Sequence, residues 1–268
     1  MSRRRSKPRL VQNPKLPPGY GHNPTASVAI SIACMDSVET SFCYDLAKLS
    51  CYSGLHLVAR QNVDIRINFL SSSILSCSRN DLAAEAVKSG ATHILCIDSD
   101  MRFPKDALLR LLRHDADIVG INYSTRKVPP GFVAFQHRGM TNEEHVRLET
   151  TPTSTGLVEV DAIGFGMVLL RTDVFRMLDY PAFETRYDTE NKMWIGEDVD
   201  FCMKAKAAGL QILVDQDLSK ECAHIGRIEY RPEHVLAVKD MDPGLITPDA
   251  RDDAPEVHDA PSPLILEA

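Results

Sequence analysis

No apolar run in the 268-residue chain approaches the ~20 residues needed to cross a bilayer, so no membrane anchor is expected. Arg3, Arg4 and Arg5 have no apolar segment behind them, which excludes a secretory signal of the usual form. The seven cysteines are scattered and form no C-x-x-C pair. That argues against a disulfide or zinc framework and for reduced thiols in a cytoplasmic protein. Cys34 and Cys96 lie inside apolar runs and read as core residues. The dinucleotide fingerprint is missing: Gly164 and Gly166 precede an apolar strand, with no third glycine and no helix start after them. Met35-Asp36-Ser37-Val38-Glu39, after the first apolar run, contains no glycine and no base. A nucleotidyltransferase would normally carry a glycine-rich, basic loop there. The net charge of -7 speaks against a generally basic nucleic-acid coat.

What is present is ordinary globular composition, 44% hydrophobic and 25% charged, enough for one large domain with a full core. Residues 1–25 contain Arg3, Arg4, Arg5, Lys7, Arg9 and Lys15, several prolines and no acid. They read as a basic flexible arm, either solvated or touching phosphates. A domain is expected over 26–235. Residues 236–268 carry Asp242, Asp249, Asp252, Asp253, Glu256 and Asp259 among prolines and read as an acidic disordered tail.

Between these ends strands alternate with helices. Strands are expected at Val28–Cys34, somewhere in His56–Leu70, at His93–Ile97, Asp117–Ile121, Phe132–Phe135, Leu157–Val160, ahead of Leu170, and at Gln211–Val214. Helices are expected from near Ser37 to Gly54, over Leu82–Lys88 led by Arg79-Asn80-Asp81, beyond Pro104, over Arg171–Leu178, and from Glu197 to Gly209. This alternation predicts an α/β fold with a mostly parallel sheet and helices on both faces. Ligands of such sheets bind beyond the strand C-termini.

One strand end stands out. His93-Ile94-Leu95-Cys96-Ile97 runs into Asp98-Ser99-Asp100. Residues i and i+2 of a strand share a face, so an extended chain would put both carboxylates on one side. Like charges repel there, and a divalent cation is a natural counter-charge; a solvated strand end followed by a turn is the other reading. Gly164 and Gly166 would admit a ligand or another backbone. Glu197, Asp198 and Asp200 open the Glu197–Gly209 helix, where the macrodipole favours acids. His224 follows the final strand.

Together these pieces resemble the GT-A glycosyltransferases, from about Val28 to Gly226, most closely the family-2-like group common in bacteria and their phages. Asp98-Ser99-Asp100 is similar to their Asp-X-Asp motif. Gly196-Glu197-Asp198-Val199-Asp200-Phe201-Cys202 resembles their Glu-Asp element at the head of the acceptor-side helix. His224 falls where many members complete the metal site, and Arg79-Asn80 where an arginine segment lies near the nucleotide. The resemblance implies a Rossmann-like GT-A domain that moves a sugar from a nucleotide-diphosphate sugar, a UDP-sugar first, to an acceptor hydroxyl with inversion. It implies Mn2+ or Mg2+ held by Asp98, Asp100 and His224. The histidine tilts that choice towards Mn2+.

Donor contacts are then expected from Asp36, Arg79, Asp98, Ser99, Gly164 and Gly166. The base is Asp198 or its neighbour Glu197. Spacing does not separate the two, and the resemblance favours Asp198. The acceptor is expected to be a saccharide or small molecule, or a hydroxymethylated base in phage DNA, with the basic arm and Arg126-Lys127 touching phosphates. The setting would be the cytoplasm, a host cytoplasm if phage-encoded. The alternatives are a nucleotidyltransferase and a non-catalytic sugar-nucleotide-binding protein.

Overall fold

The computed structural model describes residues 25–127, 129–137 and 146–226. The expected basic arm up to Pro24 and the acidic tail lie outside the described residues, which belong to one compact unit. In chain order the strands are β1 Ala26–Cys34, β2 Val63–Ser71, β3 His93–Asp98, β4 Met101–Arg102, β5 Ile118–Gly120, β6 Phe135–His137 and β7 Val146–Arg147, then β8 Leu157–Val160, β9 Met167–Arg171, β10 Arg186–Asp188, β11 Met193–Ile195, β12 Ile212–Asp215 and β13 Ala223–His224. The helices are α1 Thr40–Ser53, α2 Ala59–Gln61, α3 Leu75–Lys88, α4 Ala107–Arg113, α5 Glu197–Ala207 and α6 Gln216–Ser219.

Seven strands form the central sheet in the order β2-β1-β3-β9-β5-β12-β8. β1 pairs in parallel with β2 and β3, and β12 with β5. β9 runs antiparallel between β3 and β5, and β8 antiparallel along β12. The sheet is therefore mixed and mostly parallel, as the alternation of elements predicts.

Period-2 alternation along the strands builds two cores. Val28, Ile30 and Ile32 of β1, with Leu95 and Ile97 of β3, face Phe42, Leu46 and Leu49 of α1 and Leu108 and Leu111 of α4. Ala29, Ile94 and Cys96 face the other way, towards Ala83 and Ala86 of α3 and Phe201 and Ala205 of α5. Helices thus cover both faces, which buries a parallel sheet on both sides.

Several local expectations shift. The strand expected somewhere in His56–Leu70 is β2, and His56 to Gln61 before it is helical, because α1 runs through a π-helical turn, Gly54–Val58, into α2. Asn62 at φ 55° ends it in the left-handed region, which asparagine tolerates. Arg79-Asn80 does not lead a helix: α3 begins at Leu75 and places both inside its second turn. The Arg171–Leu178 helix is a short 3-10 segment, Thr172–Arg176. The expected Phe132–Phe135 strand is an isolated Ser124–Phe132 bridge followed by β6.

Candidate active site

The C-terminal ends of β1 and β3 lie side by side, and Ala33 is the parallel neighbour of Asp98. The backbone N–H of Glu39 reaches the Ser99 carbonyl across the gap. β3 stops at Asp98, and Ser99-Asp100 forms a turn before β4. The extended conformation does not last through the acidic pair, so the two carboxylates take different partners.

Asp98 turns to Arg79. The guanidinium, 4% exposed, donates from Nη2 to Asp98 Oδ1 at 2.9 Å and from Nη1 to Glu197 Oε1 at 2.6 Å, and lies over the Phe165 ring at 5.3 Å. This fork joins α3, the end of β3 and the start of α5. Burial alone would lower the arginine's proton affinity, but Asp98, Glu197 and Asp198 raise it above the ordinary value. Burial also pushes the Asp98 carboxyl up, with Asp100 and Glu197 adding to it and Arg79 opposing. Both carboxylate bonds of Arg79 are internal, which gives it a bridging role between three elements.

Asp100 turns to the C-terminal segment. Its Oδ1 lies 3.5 Å from His224 Nε2 and its Oδ2 2.6 Å from Arg126 Nη1. Ile225 N–H donates to the Asp100 carbonyl at 2.8 Å, and β13 pairs with β4. Burial pushes the Asp100 carboxyl up, but His224 and Arg126 hold it below the usual range. The hydrogen bond that the charged His224 imidazole donates to Asp100 raises its proton affinity above the ordinary value. His224 Nδ1 is 3.0 Å from the Ser124 carbonyl. A carbonyl only accepts, so Nδ1 carries a proton and neutral His224 presents a lone pair on Nε2 towards Asp100. A histidine anchored through its other nitrogen is the usual form of a metal ligand.

Among the described residues no three His, Cys, Asp or Glu side chains converge into a metal-binding set. The expected Asp98–Asp100–His224 triad is therefore resolved into an Asp100–His224 pair, with one oxygen of Asp98 spent on Arg79. The pair still fits a cation. Two ligands bonded to one metal at ~2.1 Å sit about as far apart as Asp100 Oδ1 and His224 Nε2. Cations that serve nucleotide phosphates take few protein ligands.

Asp198 lies one residue beyond Glu197 in the first turn of α5. Arg79 takes Glu197, whereas Asp198 Oδ1 accepts from the Val199 N–H at 2.7 Å. Burial first, and Glu197 second, raise the Asp198 carboxyl above its ordinary value. A raised carboxylate at a strand-end site has the properties of a general base. The third acid, Asp200, is buried between Arg186 at 2.6 Å and Lys204 at 2.7 Å and holds the β10–β11 hairpin to α5.

Asp36 and Ser99 sit at the rim, in the bend after β1 and the turn after β3, with Asp36 exposed. The space above Gly164 and Gly166 is filled from within. A Cβ on either would fall within 3 Å of the Tyr123 ring or hydroxyl, and the Gly166 N–H donates to Tyr123 Oη at 3.0 Å. The glycines thus admit a tyrosine rather than a ligand. Burial, followed by Asp98, raises the Tyr123 hydroxyl above its ordinary value, and its ring meets His224 edge-on at 5.2 Å.

Two features were not anticipated. A Cβ on Gly196 would come within 2.9 Å of Asp198 Oδ1, so that glycine leaves room for the carboxylate. On the hairpin just before it, Tyr187 and Trp194 face each other across the strands, 46% and 68% exposed, with ring centroids 5.3 Å apart. Their neighbours Arg186 and Ile195 point inward. Alternation of an outward aromatic with less exposed neighbours is readable at Met193-Trp194-Ile195, four residues before Asp198.

No protein-family model and no curated protein matches the chain. Solved structures similar in backbone include A197 from STIV, with a TM-score of 0.46 and 13% identity over 77% of this chain and 99% of that one. Another is GalNAc-T7, solved with UDP, GalNAc and Mn2+, with a TM-score of 0.46 and 12% identity over 76% of this chain. This chain spans 44% of the GalNAc-T7 chain.

Proposed function

We propose that the chain is a metal-dependent glycosyltransferase that moves a sugar from a nucleotide-diphosphate sugar to an acceptor hydroxyl in one inverting displacement. The observation that carries the reading is the division of labour between adjacent acids: Arg79 holds Glu197, while Asp198 keeps a raised carboxyl beside the strand-end site.

Asp100 and His224 would hold a divalent cation, with Mn2+ suited to the imidazole. When bound, such a cation stabilises the charge that develops on a leaving diphosphate. Arg126, 53% exposed and fixed to Asp100, presents its remaining N–H groups to the same region. Asp36, exposed beyond the end of β1, would meet the ribose or the nucleobase. Asp198 accepts the proton of the acceptor hydroxyl as its oxygen bonds to the anomeric carbon and the bond to the diphosphate breaks. A group that gains a proton in this step works best with a proton affinity raised towards neutral pH, which burial supplies here.

The acceptor is read as a saccharide. Trp194, outward with Tyr187, stands four residues before Asp198 in the chain, and aromatic faces receive the C–H face of a sugar ring. A single displacement inverts the anomeric centre, so the direct test is the configuration of the product made from an α-linked donor. NMR of a β-linked product supports the reading, and a retained α-linkage rejects the role given to Asp198.

A further inference from the structure

Arg147 has no role in the account so far. It lies on β7 opposite Phe135 of β6, with its guanidinium over the Phe135 ring at 3.9 Å. One of its N–H groups donates to the Phe132 carbonyl. A ring below and a carbonyl at one end fix the plane of a side chain that otherwise swings freely. The residue is nevertheless exposed, and among the described residues no carboxylate pairs with it. A guanidinium has five N–H donors, and the described residues engage one of them as a hydrogen bond.

The place of this fork matters. Phe132 precedes Val133, which donates to the Tyr123 carbonyl and packs on Gly164, beside the Tyr123 ring. The 132–133 segment is therefore a wall of the candidate site, and Arg147 is bolted to its outer edge. Its charge is near enough to Asp198 for the two to act on each other. Arg126, by contrast, belongs to the Asp100–His224 side. Besides the buried Arg79, the site thus has one fixed cation on the metal side and another on the side of the base.

We propose that Arg147 is a specificity residue for an oxyanion carried by the acceptor, so that the acceptor is an acidic saccharide bearing a carboxylate or a phosphate. The inference rests on the transferase reading for the assignment of Asp198 to the acceptor side. Planar, pre-oriented arginine matches either oxyanion through paired N–H bonds. An acceptor anion would complete a fork that the protein leaves open, and Trp194 would take the ring that carries it.

The test is binding of three probes to the full chain without donor, read by saturation-transfer NMR titration: methyl β-glucoside, methyl β-glucuronide and glucose 6-phosphate. Expected is tighter binding of at least one anionic probe than of the glucoside, by about tenfold or more. The two anionic arms separate carboxylate from phosphate. In Arg147→Met that ratio falls towards one, and in Arg147→Lys, which keeps the charge without the fork, it is partly kept. Equal binding of all three probes by the wild type, or no binding of the anionic ones, overturns the proposal. So does an unchanged ratio in Arg147→Met, or displacement of the anionic probe by UDP, which would assign the anion to the donor. Cleavage of a nucleotide sugar is measured separately, so loss of the transferase reading is told apart from loss of this one.

Discussion

Arg79 Nη1 lies 2.6 Å from Glu197 Oε1, joining positions 118 residues apart in the chain. The same guanidinium holds Asp98 at 2.9 Å. A single side chain therefore engages Asp98 and Glu197 and leaves Asp198 without an ion-pair partner among the described residues.

Removing that side chain should be felt first as instability. Arg79→Met leaves Asp98 and Glu197 partly buried without their counter-charge, a change that costs ~3–5 kcal/mol when a buried pair is broken. Arg79→Lys keeps the charge but cannot fork, and should fall between. Urea denaturation of the three proteins checks the order; a methionine variant as stable as the wild type would remove the bridge from the account.

That bridge also shows where the sequence stops being informative. The inward face of α3 carries Ser78, Arg79 and Asn80 in the turn nearest the site, all buried. Hydrophobic periodicity registers only apolar burial, so it places the helix start near Leu82. Partners far along the chain, Glu197 and Asp98 for Arg79 and the Phe183 backbone for Asn80, satisfy those polar groups. β1 and β3 were legible because their apolar runs are local. The antiparallel insertion of β9 was not, since Met167–Arg171 is apolar whichever way it runs. Gly164 and Gly166 were recognised as sites of close approach, but what approaches, Tyr123, lies 41 and 43 positions earlier. The acids Asp98, Asp100, Glu197 and Asp198 were legible; their pairing was not, because it is set by side-chain direction at a turn.

Asp198→Asn should lower transfer by ~10²–10⁴-fold, the usual contribution of a general base, and should at the same time stabilise the protein at pH 7. The Asp198 carboxyl is raised in the folded state, so the fold binds its proton more tightly than the unfolded chain, whose carboxyl titrates near ~3.9. Stability therefore declines as pH rises through that window, and the neutral amide escapes the loss. Thermal melts at pH 7 and transfer assays on one preparation check both halves. A variant that is less stable, or fully active, contradicts the assignment.

The Asp100–His224 contact should depend on pH in two opposed ways. Without metal, the raised imidazole gives stability that is fully present below its unfolded value of ~6.5 and lost as pH rises through the folded value. Mn2+ needs the neutral ring, so its affinity should increase over that same rise. His224→Ala should flatten both dependences. Melts across pH 5 to 9 (range chosen about the histidine value, ~6.5) and Mn2+ titrations followed by electron paramagnetic resonance would show it. Metal binding that weakens with rising pH would rule out His224 as a ligand.

Trp194→Ala should raise KM for a saccharide acceptor by roughly tenfold, the order of a lost aromatic contact, with a smaller effect on kcat. Trp194 is 68% exposed, so its removal leaves no cavity and the melting temperature should hardly move. A change confined to donor KM would shift the aromatic pair to the nucleotide side.

The most direct measurement is nucleotide-sugar cleavage without acceptor. The purified chain is incubated with a panel of labelled nucleotide-diphosphate sugars and Mn2+, and free sugar and nucleoside diphosphate are quantified together. The account predicts slow, equimolar release from at least one donor, stopped by EDTA and by Asp100→Ala in a protein that still melts cooperatively. Absence of cleavage across the panel, or release that continues undiminished in EDTA, would contradict it.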